Sequence, residues 1–73
     1  MNQSIGEKMR LARLAKGYSQ QNMAYMLNME QPTYCKLEKG NREIKVSELE
    51  RIAAVLEKPV AYFFPAFSGK GSW

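Results

Sequence analysis

The chain is expected to be all-α, a compact bundle of about five short helices. Two observations carry that expectation. Apolar side chains recur at three- and four-residue spacing in one short segment after another, and the segments are bracketed by helix signals, with Ser4, Ser19 and Ser47 before and Gly17 and Gly40 after. Composition agrees. Of 73 residues, 45% are apolar and 25% charged, enough to fold one small core and too little for a second domain.

In chain order, Ile5, Met9, Ala12 and Lys16 share one side of a first helix, with no Pro and no Gly after Gly6. Ser4 or Asn2 caps its start, and Ser4 with Glu7 fits the reciprocal S-x-x-E pattern. Gly17 ends it. Leu11, Leu14 and Ala15 form a second apolar stripe, more than one buried face requires.

Ser19 caps a second helix whose inner face is Met23, Ala24 and Leu27, leaving Gln20, Gln21 and Tyr25 outside. Asn28 tolerates positive φ and suits a sharp turn, after which Met29 returns to the core. Glu30 or Gln31 begins a third helix with Pro32 in its first turn, where a missing N–H costs nothing. Tyr34, Leu37 and Glu38 face inward; Gln31, Pro32, Cys35 and Lys36 face outward.

A polar connection, GNREIKV, follows, with Ile44 and Val46 as its anchors. Ser47 and Glu50 read as the capping box of a fourth helix bearing Leu49, Ile52, Ala53 and Leu56. Pro59 opens a short fifth helix with Val60, Phe63 and Phe64, stopped by Pro65. The domain is expected to occupy residues 1–67, and the Gly- and Ser-rich residues 68–73 to form a flexible tail.

The net charge of +4, from 11 basic and 7 acidic side chains, favours a polyanionic partner. One cysteine and no histidine exclude an internal disulfide and make a metal site or nucleophilic catalysis improbable. No cofactor, no metal and no enzymatic activity are expected. No apolar run approaches the roughly 18 residues needed to cross a bilayer. The expectation is a cytoplasmic protein with no membrane partner.

Ser19 to Gly40, SQQNMAYMLNMEQPTYCKLEKG, is therefore two short helices joined by a tight turn. With IGEKMRLAR before it and LERIAAVL after it, the chain resembles the phage Cro and repressor, or XRE-type, helix-turn-helix family from about Ile5 to Phe64. The resemblance implies a lambda-repressor-like DNA-binding domain and a transcriptional regulator, in particular a repressor. The partner it implies is double-stranded DNA.

The residue matching Gln20 bonds a phosphate in that family and sometimes braces the recognition helix, which suits an amide at a helix N-terminus. Gln31, Pro32, Thr33 and Lys36 match the base-reading positions; Gln pairs with adenine and Lys donates to guanine in the major groove. Cys35 shares that face, Asn41 and Arg42 match the loop that touches the sugar-phosphate backbone, and Lys39 is a similar candidate. Arg13 and Glu38 match an ion pair between the first and third helices, and both lie on the apolar sides of their helices. Glu30 departs from the pattern, standing where Ser or Thr usually caps the third helix. Glu57 departs too, standing where Gly usually ends the fourth.

A single recognition helix buries little surface, so a homodimer on two half-sites about one helical turn apart is expected. Val60, Phe63, Phe64 and Phe67 are its expected contact surface, with some of them taken up by the core and only the remainder free to meet a partner. The alternative is an antitoxin or adaptor-type interaction module, with a toxin or co-regulator as protein partner. Leu11, Leu14, Ala15, Tyr25 and Met26 would then be its apolar docking patch.

Overall fold

A computed structural model describes residues 4–64. Four α-helices follow one another, α1 (Ile5–Lys16), α2 (Gln20–Met26), α3 (Gln31–Lys39) and α4 (Val46–Leu56), and a single 3-10 turn, Val60–Phe63, closes the described chain. Among the described residues there is no strand. The expected fifth helix is thus one 3-10 turn. Phe64 leaves it in extended conformation at φ −79° and ψ 146°, as the residue before a proline prefers.

The helix starts follow local chemistry. Ser4 accepts from the Glu7 N–H while Glu7 reaches back to the Ser4 N–H. Ser19 and Asn22 do the same for α2, with Asn in the position usually held by Glu or Gln. At α4 the box sits two residues earlier than Ser47 and Glu50 suggested. Glu48 accepts from the Lys45 N–H, and Ser47 lies inside the first turn. Val46, expected as an anchor, is 68% exposed; Ile44 alone packs against the core from that loop.

All four α-helices end in one way. A residue in the left-handed region, Gly17, Asn28, Gly40 or Glu57, lets its own N–H and that of the residue after it bond back to carbonyls of the last turn, the Schellman arrangement. Asn28 at φ 58° makes the turn between α2 and α3. Its N–H bonds to the Tyr25 carbonyl and that of Met29 to the Ala24 carbonyl. Glu57, with φ 59°, occupies a conformation that costs a side chain what it spares glycine.

The core lies where these elements converge. Met9 and Ala12 come from α1, Met23, Ala24 and Leu27 from α2, Tyr34 and Leu37 from α3, and Leu49, Ile52, Ala53 and Leu56 from α4. Phe63 fills it from below with no exposed surface. Phe63 is therefore a core residue and unavailable as a dimer contact, contrary to expectation. Tyr62 packs edge-on against it, with ring centroids 5.1 Å apart, and lies beneath the ammonium groups of Lys8 and Lys58 at 5.2 and 4.9 Å. Such contacts hold the 3-10 turn against α1 and α4.

Gly6 sets the approach of α1 to α3. A Cβ there would fall 2.0 Å from the Glu38 carbonyl oxygen. Only a residue without a side chain lets the two backbones touch.

Candidate nucleic-acid interface

The geometry of the α2–turn–α3 unit is governed by one carboxylate. Glu38 faces inward from the last turn of α3, its side chain 3% exposed, where an unpaired charge would be very unfavourable. Arg13 Nε donates to Oε2 at 2.6 Å and Nη2 to Oε1 at 3.3 Å. Tyr34 Oη donates to Oε2 at 2.7 Å and Gln20 Nε2 to Oε1 at 3.1 Å. The remaining Arg13 nitrogen, Nη1, donates to the Tyr18 carbonyl at 3.0 Å. Three helices meet in this network, and among the described residues no buried side-chain polar atom is left unpartnered.

Burial pushes the Glu38 carboxyl upward, but the hydrogen bonds from Arg13, Tyr34 and Gln20 outweigh it and hold the group below the ordinary carboxylate value. The bond to Glu38 raises the Arg13 guanidinium, against its desolvation. Burial, with the carboxylate beside it, drives the Tyr34 phenol far above its usual range. At neutral pH the cluster is a charged pair plus a neutral phenol. It fixes the tilt of α3 against α1 and orients the Gln20 amide.

The structure brings Arg13 and Glu38 together. Gln20, expected outside, is half-buried with its amide nitrogen held by Glu38. On α3, Gln31, Pro32, Lys36 and Lys39 are exposed, while Thr33 and Cys35 are half-buried. Gln31, Pro32, Cys35, Lys36 and Lys39 share one helix flank with Thr33 at its edge, and Asn41 continues the exposed row past Gly40. Among the described residues, neither Lys36 nor Lys39 enters an ion pair. The flank presents amides, a hydroxyl and two unneutralised cations, the chemistry that meets phosphates and base edges. Glu30 makes no side-chain cap to α3.

Arg42 is placed differently. Its guanidinium grips Glu48 through two parallel bonds, Nη1 to Oε1 at 3.2 Å and Nη2 to Oε2 at 3.0 Å. Of the expected dimer residues, Val60 packs partly against the core, Phe64 is 45% exposed, and Phe67 lies outside the described residues. The apolar side chains Leu11, Leu14, Tyr25 and Met26 are exposed at 41, 52, 85 and 40%. An open groove of about 310 Å³ beside Tyr25 is lined by Ala24, Asn28, Met29 and Glu30.

Two contributors escaped the sequence reading. Gly6 had no signal beyond a glycine early in a helix. Arg51 donates from α4 to the Leu27 carbonyl at the end of α2, tying the turn to the scaffold, and a lone Arg on an exposed helix face carries no hint of it. No described helix is long and apolar enough to cross a membrane.

A family model described as helix-turn-helix matches residues 9–63. An uncharacterized helix-turn-helix-type transcriptional regulator of Sinorhizobium medicae is 33% identical over 67 residues, covering 92% of this chain and 48% of that protein. Another from Rickettsia prowazekii is 38% identical over 60 residues, covering 82% and 46%. The chain thus spans about half the length of the curated relatives it matches. Among solved structures, the restriction-modification controller protein C.AhdI from Aeromonas hydrophila superposes with a TM-score of 0.77 at 25% identity over 82% of this chain and 91% of its own. SinR, a master regulator for biofilm formation solved in complex with DNA, gives 0.75 at 25% identity over 81% and 95%.

Proposed function

Because this chain belongs to the XRE-type, Cro/repressor-like helix-turn-helix family, we propose that it is a sequence-specific DNA-binding transcriptional regulator, acting as a repressor. The observation that carries this reading is the exposed flank of α3, held at a fixed tilt by the Glu38 network. In this reading α3 enters the major groove. Gln31, Thr33 and Lys36 face base edges, Pro32 offers apolar contact to a thymine methyl, and Cys35 lies passively between them. Gln20, Lys39 and Asn41 meet phosphates on either side. Glu38 already holds the Gln20 amide nitrogen, so the brace and the phosphate contact are made from one side chain.

The reading includes a homodimer on a two-fold-related operator, because one helix of nine residues offers too small a surface for strong specificity. With Phe63 in the core, Phe64, Val60 and Phe67 remain as the dimer contacts. The exposed Leu11, Leu14, Tyr25 and Met26 favour a second reading, an antitoxin or adaptor-type module whose main partner is a protein such as a toxin or co-regulator.

Selection of bound sequences from random duplexes at two salt concentrations separates the two. Enrichment of a two-fold-related motif is the expected result. A steep salt dependence with no enriched motif would mean backbone attraction alone and would move the assignment to the interaction module.

A further inference from the structure

Of the cations on the α3 flank and the loop after it, Lys36, Lys39, Arg42 and Lys45, only Arg42 is already neutralised among the described residues. The manner of its neutralisation is specific. The same Glu48 carboxylate that grips both terminal nitrogens of Arg42 also accepts the Lys45 N–H at 3.1 Å. One side chain in the first turn of α4 therefore ties down two points of the loop, residues 41–45. Between them Ile44 packs against the core as a third anchor. The Glu48 side chain is 16% exposed and that of Arg42 34%. The position suits a carboxylate, since the start of a helix favours negative charge, and the bonds from Arg42 and Lys45 hold it below its ordinary pKa.

We propose that Glu48 masks Arg42, making it a staple of the α3–α4 loop instead of a phosphate ligand, so that Glu48 sets how strongly the loop attracts the DNA backbone. This rests on the DNA-binding reading above. A phosphate taking Arg42 would leave the Glu48 carboxylate unpaired beside the duplex, with the exposed Glu43 next to Arg42 in sequence. While the pair stays closed it is electrically neutral and releases no counterion. At its tip, next to α3, the loop then meets the backbone through the uncharged Asn41. Glu48 acts through Arg42 and is a positioning residue.

The test measures affinity of the whole chain for a mixed-sequence DNA duplex between about 50 and about 200 mM salt, with thermal melts to verify folding. Glu48→Gln keeps an oxygen for the Lys45 N–H but releases Arg42. It is expected to steepen the slope of log affinity against log salt by about 0.9 per bound protomer, the value for one more neutralised phosphate. Glu50→Gln adds the same charge on an exposed face of α4 and is expected to leave the slope unchanged. Arg42→Gln alone, and the double substitution with Glu48→Gln, are expected to keep the original slope. A fall of about 0.9 in the Arg42→Gln slope, or no steepening in a folded Glu48→Gln protein, overturns the proposal. If Glu48→Gln does not fold, the Arg42→Gln slope decides alone. Absence of measurable binding by the unaltered chain overturns instead the DNA-binding reading and this inference with it.

Discussion

Two carboxylates in this chain each meet a cation at nearly the same distance, Glu38 with Arg13 at 2.6 Å and Glu57 with Lys16 at 2.7 Å, yet they do different things. Glu38 is enclosed, takes four hydrogen bonds from three side chains and joins α1, α2 and α3. Glu57 is 73% exposed and holds only the tip of a lysine. Distance alone does not rank them. In water the pair gains little over hydrated ions, whereas in the core each partner depends on the other because neither can return to solvent. The recognition unit is thus positioned by a polar cluster that must remain complete. The α1–α4 corner needs only its apolar contacts.

The comparison breaks first at Glu38. Glu38→Ala strands the Arg13 guanidinium and is expected to cost about 3–5 kcal/mol, read by chemical denaturation. A loss below about 1 kcal/mol would place the cluster with ordinary surface pairs. Gly6→Ala comes next. It drives a methyl into the Glu38 carbonyl, and α1 must shift from α3 at a cost of about 1–3 kcal/mol, measured in the same way.

Acid titration sharpens the contrast without altering packing. The folded Glu38 carboxyl lies below the ordinary value of 4.5, so the unfolded chain binds the proton first as pH falls. Its stabilisation is complete above that value and is lost as pH drops through the folded one. Glu57 is lowered in the same direction by Lys16, but at 73% exposure solvent screens it. Glu38→Gln should therefore flatten the acid limb of the stability curve much more than Glu57→Gln; equal flattening would erase the distinction. The smallest effect belongs to Lys16→Ala, expected to leave Tm unchanged within error. Glu57→Gly should raise Tm slightly, because relief of the left-handed backbone at φ 59° outweighs the lost ion pair.

Much of the fold is local and was legible. The span of α1, the Ser4 and Ser19 caps and the Gly17 and Asn28 stops depend on residues within four or five positions of one another. The start of α4 is ambiguous in the sequence because Lys45-x-x-Glu48 and Ser47-x-x-Glu50 both put a glutamate three residues on. Only the loop geometry chooses between them. Spacing cannot divide a short aromatic run between core and exterior, so nothing in the sequence singles out Phe63 as the core residue among Val60, Phe63 and Phe64. At the interface, the exposed flank of α3 followed from helical period. The resemblance points to the Arg13–Glu38 pair, and the i, i+4 spacing puts Tyr34 on the same inward side without showing that its hydroxyl completes the pair, while the Gly6 contact and the Arg51 tether join residues distant in sequence.

On the proposed function, the buried carboxylate of Glu38 holds α3 in the orientation that meets DNA. Paired measurements of Tm and duplex affinity on Glu38→Gln, with affinity read at a temperature where both proteins are folded, test it most directly. Both quantities are expected to fall, with affinity dropping several-fold although no DNA-facing side chain has changed. Unaltered Tm, or a folded variant that binds DNA as tightly as the original chain, would contradict it.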